Sequence, residues 1–265
     1  MKGCPTGSKP VFTQSAPPSV YLSREYVDIQ VRFAERLADA SGLALDRTLL
    51  FYTNLYRRMG LGIAGEREPP PIWTEMMREV VDLDHDARVT RIYSMATSRE
   101  DGTALLLPGR KQFGCFACEP PDSEGMVRIH FGNRVANQDV GPLHASRSAE
   151  RRQELKTMFS WLAQTFPEAT RVDGASWLYN RESYRRLFPA DFAASRNPRQ
   201  GPQQLHGLST WGQFIDFRGH IRPEVRDACL QLLPSLEASA PHRVFPYQVL
   251  FTSAPFKSFL QEYGV

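Results

Sequence analysis

The sequence predicts an α+β fold in which a helical N-terminal region packs on a small mixed β-sheet flanked by helices. Three observations carry this. Residues 20–100 place apolar side chains at helical spacing and show no strand-like run. From residue 112 the texture changes to short β-prone segments separated by Pro120, Pro121, Asp122 and Gly125. The order strand, strand, helix, strand follows, which builds a mixed sheet rather than a bundle or sandwich. With 265 residues, 42% of them hydrophobic, the chain can bury one large core or two small ones. We expect a polar arm over 1–18, a helical region over 19–108 and an α+β domain over 109–265.

In chain order, the arm carries Lys2 and Lys9 but no apolar segment of the kind a secretory signal needs. Ser23 is placed to cap a helix reaching Ser41, with Val27, Val31, Ala34, Leu37 and Ala38 on one face and Gly42 as its stop. Asp46 is expected to cap a second helix through Met59. Pro69, Pro70 and Pro71 form a stiff linker, and helices follow over 72–83 and 87–97. Segments 112–119 and 126–132 pair as a β-hairpin. A loop over 133–145 leads into a helix over 148–166, buried through Leu155, Phe159, Leu162 and Ala163, and then into a strand over 170–179. A short helix over 182–188, an aromatic segment over 211–217, a helix over 223–233, a strand over 244–251 and a helix from Pro255 complete the chain.

Composition narrows the function classes. The longest apolar runs are far shorter than the roughly 20 residues a membrane helix requires. Four cysteines at irregular spacing do not make a disulfide framework, so a reducing compartment, the cytoplasm, is expected. The net charge of +3 is spread along the chain and balanced locally by Asp and Glu, which gives nucleic acid little support. Arginine far outnumbers lysine, and guanidinium forks suit carboxylate and phosphate ligands, although genome composition produces the same bias.

Candidate chemistry concentrates in the strand, loop and helix over 127–152. Helix N-termini attract anions; Ser146 and Ser148 can cap there, and Arg134, Arg147, Arg151 and Arg152 lie nearby. Ordinary capping beside exposed arginines is the competing account. Strand alternation puts His130 and Arg128 on one face, where His130 could serve as general base or stand as a satisfied core histidine. Asn133 and Asn180 are candidate donors to a developing oxyanion, Tyr179 is a candidate general acid, and Trp177 and Trp211 are candidate substrate contacts. Cys115 and Cys118 form a CxxC without a second ligand pair, so buried thiols are expected rather than zinc. Asp82, Asp84, His85 and Asp86 lie between two expected helices and are read as a cap with first-turn acids; no metal site is expected. Aromatic residues interleave with Arg181, Arg185, Arg186, Arg196 and Arg218. That mixture could stack bases on single-stranded nucleic acid, but core packing accounts for most of it.

Strand, arginine-bearing loop, helix, then a strand ending in Ser176, Trp177 and Leu178, followed by Leu187, Phe188 and Pro189, resembles the C-terminal half of GNAT-type acyltransferases. The similarity covers about residues 112–217 and is closest to a divergent bacterial GNAT-like group with a helical N-terminal region. The resemblance implies an acyl-CoA, a coenzyme A thioester, with its pyrophosphate at the helix start and Arg134, Ser146, Arg147 and Arg151 as its contacts. The acceptor, a small molecule, would approach His130, Trp177 and Tyr179. The chain departs from the family in its loop, where Gln138, Asp139, Val140 and Gly141 supply one glycine in place of a glycine-rich run. A non-catalytic protein that uses the same arginines to bind nucleic acid or an acidic partner is the alternative.

Overall fold

The computed structural model describes residues 22–62, 68–98, 109–134, 139–198 and 205–265. The expected arm over 1–18 lies outside them. Helix α1 (Arg24–Ser41) starts where the Ser23 side chain accepts from the Tyr26 amide and stops at Gly42, whose φ of 71° only glycine adopts at little cost. Its buried face carries Val27, Val31, Phe33, Ala34 and Leu37. The expected single helix through Met59 is instead two, α2 (Leu45–Tyr52) and α3 (Leu55–Arg58), and Asp46 lies in the first turn rather than at the cap, which is Ala44. The break has a polar cause. The Asn54 amide donates to Gln30 Oε1 at 2.9 Å and Asn54 Nδ2 to the Tyr26 hydroxyl at 2.9 Å, so buried side chains take the place of helical bonds. Helix α4 (Pro71–Arg78) begins on a proline, whose missing N–H is no loss at that position, and ends short of the expected residue 83. Asp84 caps α5 (His85–Thr97) by accepting from the Ala87 amide, as expected of that acidic run.

The sheet contains β1 (Lys111–Phe113), β2 (Phe116–Cys118), β3 (Met126–Phe131), β4 (Arg171–Ser176), β5 (Asn197–Pro198) and β6 (Leu250–Pro255), in the spatial order β1-β2-β3-β4-β6-β5. The segment expected to be one strand folds on itself, because Gly114 at φ 59° turns the chain between β1 and β2. The last long strand begins later than expected; residues 241–244 instead form a helical turn started by Pro241. Helix α6 (Ser148–Thr165) crosses from β3 to β4, which pair in parallel, while the remaining pairs are antiparallel. Short helices α7 (Glu182–Arg185), α8 (Ala190–Ala194) and α9 (Leu208–Gly212) precede α10 (Pro223–Leu232), and α11 (Phe256–Tyr263) ends the chain. The fold is therefore α+β.

Two apolar cores organise the described residues. Leu155, Met158 and Phe159 of α6 and Phe256 and Phe259 of α11 close over Phe116, Val127, Ile129, Val172 and Ala254 of the sheet. Strand alternation sends Arg128, His130 and Ala175 to the opposite, more open face. The second core belongs to the helical region but is not built from it alone. Leu205, Trp211, Phe214, Val225, Cys229 and Phe245 join α1 to α5 there, so the chain beyond residue 109 contributes to both cores. Cys115, Cys118 and Cys229 are buried with free thiols, as expected for the CxxC pair. No helix among the described residues is long and apolar enough to cross a membrane.

Candidate functional site at the ends of the parallel strands

Strands β3 and β4 pair from Met126↔Arg171 to Ile129↔Gly174, and there their ladder ends. Both strands continue for two more residues. Phe131 still pairs outward with Phe116 of β2, and Ser176 with Leu250 of β6. His130 and Phe131 therefore face Ala175 and Ser176 across a notch that no ladder pair closes. The notch lies at the carboxyl ends of parallel strands, where open α/β sheets bind ligands, and the loop beyond β3 runs to the start of α6.

The rim is built by segments far apart in sequence. Asn133 follows β3, and its side-chain amide donates to the Phe217 carbonyl. Phe217 packs so closely on Gly141 that a Cβ there would lie 3.0 Å from its ring, and Arg218 reaches the Asp139 carbonyl at 3.3 Å. Trp177 follows β4, half-buried, with the Arg222 guanidinium 5.6 Å from its ring and the Tyr247 ring 5.4 Å away. Asn133, Trp177 and Arg134 thus converge on this end of the sheet, and Arg134 has no carboxylate within ion-pair distance among the described residues.

Other expected site residues do other work. Arg151 is 1% exposed; its Nη1 lies 2.5 Å from Cys115 Sγ, and its Nη2 pairs with Glu154 at 2.8 Å and with Glu150. It is therefore not free to hold a cofactor phosphate, because a guanidinium that deep needs internal carboxylates. Arg147 is engaged by Glu150 at 3.0 Å. Ser146 does not cap α6, because its hydroxyl and amide turn to His144 Nδ1 at 2.8 and 3.3 Å, and the N-cap position falls on Arg147 without a side-chain bond. Asn180 donates to the carbonyls of Trp177 at 2.7 Å and Gln248 at 2.8 Å, which pins the turn after β4 and uses the amide expected to polarise a substrate. Tyr179 is not a strand residue at an open face. It sits in a helical turn with its ring among Tyr184, Phe188 and Phe192, and burial holds its hydroxyl far above the usual phenol range. Trp211 lies in the helical core, its indole donating to the Tyr52 carbonyl at 3.1 Å.

His130 does share a face with Arg128, as strand alternation predicts. Its Nε2 lies 2.8 Å from Glu119 Oε1, a carboxylate that also receives Arg110 at 2.8 Å and stands 3.6 Å from Arg128. Burial and then the Arg110 charge push the imidazole down to about 4, so the ring is neutral at pH 7 and donates from Nε2, leaving Nδ1 as its basic atom. Sequence reading missed Glu119, Phe217 and Arg222. Glu119 could have been found from its place opposite Arg128 in a hairpin, whereas nothing local ties residues 217 and 222 to the ends of β3 and β4.

No protein-family model, curated protein or solved structure matches the chain.

Proposed function

We propose that the protein is an acyltransferase of the GNAT-like kind that its element order resembles, and that an acyl-CoA lies across the notch between the ends of β3 and β4. The observation that carries the reading is the end of the β3–β4 ladder at Ile129↔Gly174 while both strands run on. Facing strand ends without a common ladder suit an extended ligand that carries amides, because main-chain groups seek hydrogen-bond partners, and the pantetheine arm of coenzyme A is such a ligand. Arg134, rather than Arg147 or Arg151, supplies the cation for its phosphates, since the other two are held by Glu150 and Glu154. The acceptor amine approaches the Trp177 ring and attacks the thioester carbonyl, His130 Nδ1 takes its proton directly or through water, and the C–S bond breaks to release the coenzyme A thiolate, which solvent protonates.

Positioning is the main contribution, worth roughly 7 to 11 kcal/mol of barrier in well-oriented reactions. Proton removal adds about a hundredfold or more. His130 is a weak base at a pKa of about 4, which suits it to an acceptor already mostly deprotonated or to a water relay. The test is binding of acetyl-CoA by the full chain, followed as thermal stabilisation, together with release of free thiol in the presence of amine acceptors. We expect stabilisation by acetyl-CoA that weakens about tenfold in Arg134→Ala, the scale of one charge-assisted bond, and is unchanged in Arg196→Ala. Absence of any stabilisation by acetyl-CoA or free coenzyme A contradicts the reading.

A further inference from the structure

On the open face of the sheet, Arg128 of β3 lies beside Asp173 of β4, which pairs with Ser253 of β6, and the next row brings His130, Ala175 and Phe251 together. Ala175 is exposed and Phe251 is 38% exposed, so an apolar floor open to solvent adjoins His130 at the notch. The charges of this face are unequally held. Glu119 Oε1 accepts from Arg110 at 2.8 and 3.0 Å and lies 2.8 Å from His130 Nε2. Asp173 accepts from Arg171 Nε at 3.1 Å and from the Ser253 hydroxyl at 2.6 Å. Asp122, before the start of β3, accepts the Glu124 and Met126 amides at 2.9 and 3.0 Å. Arg128 is held more loosely: its side chain is 51% exposed and its Nη1 stands 3.6 Å from Glu119 Oε2, longer than a hydrogen bond. Its planar fork is free to turn to a second carboxylate, which it matches in geometry as well as charge.

We propose that this face selects a small amine that bears a carboxylate, with Arg128 on the carboxylate, Ala175 and Phe251 under the apolar stretch of the molecule, and the amine beside His130. Arg128 and His130 are two residues apart on one strand, roughly 7 Å, so the two groups of the ligand stand a comparable distance apart. The inference rests on the acyl-transfer reading for the fate of the amine; the carboxylate contact at Arg128 does not, because neither the notch nor Arg134 takes part in it.

The probes are 6-aminohexanoate and hexylamine, which share the amine and the chain and differ in the carboxylate, titrated against the full chain by calorimetry and thermal shift. The expected result is saturable binding of 6-aminohexanoate about tenfold or more tighter than that of hexylamine, the scale of one charge-assisted bond. Arg128→Gln abolishes that preference, Arg128→Lys keeps part of it, and Phe251→Ala weakens both probes. Arg128→Gln without ligand should melt with the parent protein, because a half-exposed ion pair adds little stability; this separates lost binding from lost folding. Thiol release from acetyl-CoA should show the same preference for 6-aminohexanoate in the parent and its loss in Arg128→Gln. Equal binding of the two probes by the parent, binding of neither, or a preference that survives in Arg128→Gln overturns the inference, and Phe251→Ala that weakens neither probe overturns the apolar floor. Binding of 6-aminohexanoate through Arg128 without stabilisation by acetyl-CoA keeps the carboxylate site and overturns the acyl-transfer reading instead.

Discussion

Glu119 shows how one side chain sets the character of its neighbours. It accepts from Arg110 and His130 and stands 3.6 Å from Arg128; burial raises its carboxyl, but Arg110 and His130 outweigh that and hold it below the usual range. His130 moves the opposite way to a paired surface histidine, because burial and the Arg110 charge outweigh the attraction of Glu119 and depress it to about 4. The unfolded chain takes up this proton near pH 6.5 and the folded chain only near pH 4, so folding stability falls as pH drops through that window. His130→Gln should flatten the stability profile between about pH 6.5 and 4, as read by urea unfolding at a series of pH values; an unchanged slope would mean that the ring titrates normally. The shared face of Arg128 and His130 was legible in the sequence, since strand alternation alone requires it. The internal ion pairs of Arg151 were not, because its partner thiol and the hairpin at Gly114 come from a turn that a continuous strand reading concealed.

At the scale of elements, β4 and the turn that follows it act as one packed unit. A Cβ added at Gly174 would lie 2.1 Å from the Tyr179 hydroxyl and 3.2 Å from the Phe192 ring, so the absence of a side chain on β4 is what lets the tyrosine fold back beneath the strand. Tyr179 is fully buried with its ring 5.1 Å from that of Tyr184, leaving little room for adjustment. Gly174→Ala should therefore destabilise the protein by about 1–3 kcal/mol, the usual cost of overpacking, and denaturant unfolding is the check; a cost near zero would show that the aromatic cluster yields easily. Among the helices, α1 and α5 were legible through Ser23, Gly42 and Asp84, whose local chemistry fixes helix ends. The break between α2 and α3 was not, because it depends on Gln30 and Tyr26, which are 24 and 28 residues away from Asn54.

Across the whole molecule, the chain leaves the helical region, builds the sheet, returns through residues 205–247 to complete the core of the helical region, and ends in β6 and α11 on the core of the sheet. That return carries Phe217, Arg222 and Tyr247 to the ends of β3 and β4, so the rim of the notch is assembled from both cores. The class of fold could be read from element order, because strands joined by a long helix such as α6 can pair in parallel through that crossover. The composition of the rim could not, since it arises from contacts between distant segments. The most direct measurement is hydrogen–deuterium exchange of the full chain with and without acetyl-CoA. The account predicts slowed exchange at residues 130–134 and 174–181 and at the start of α6; slowed exchange confined to the helical region, or none, would contradict it.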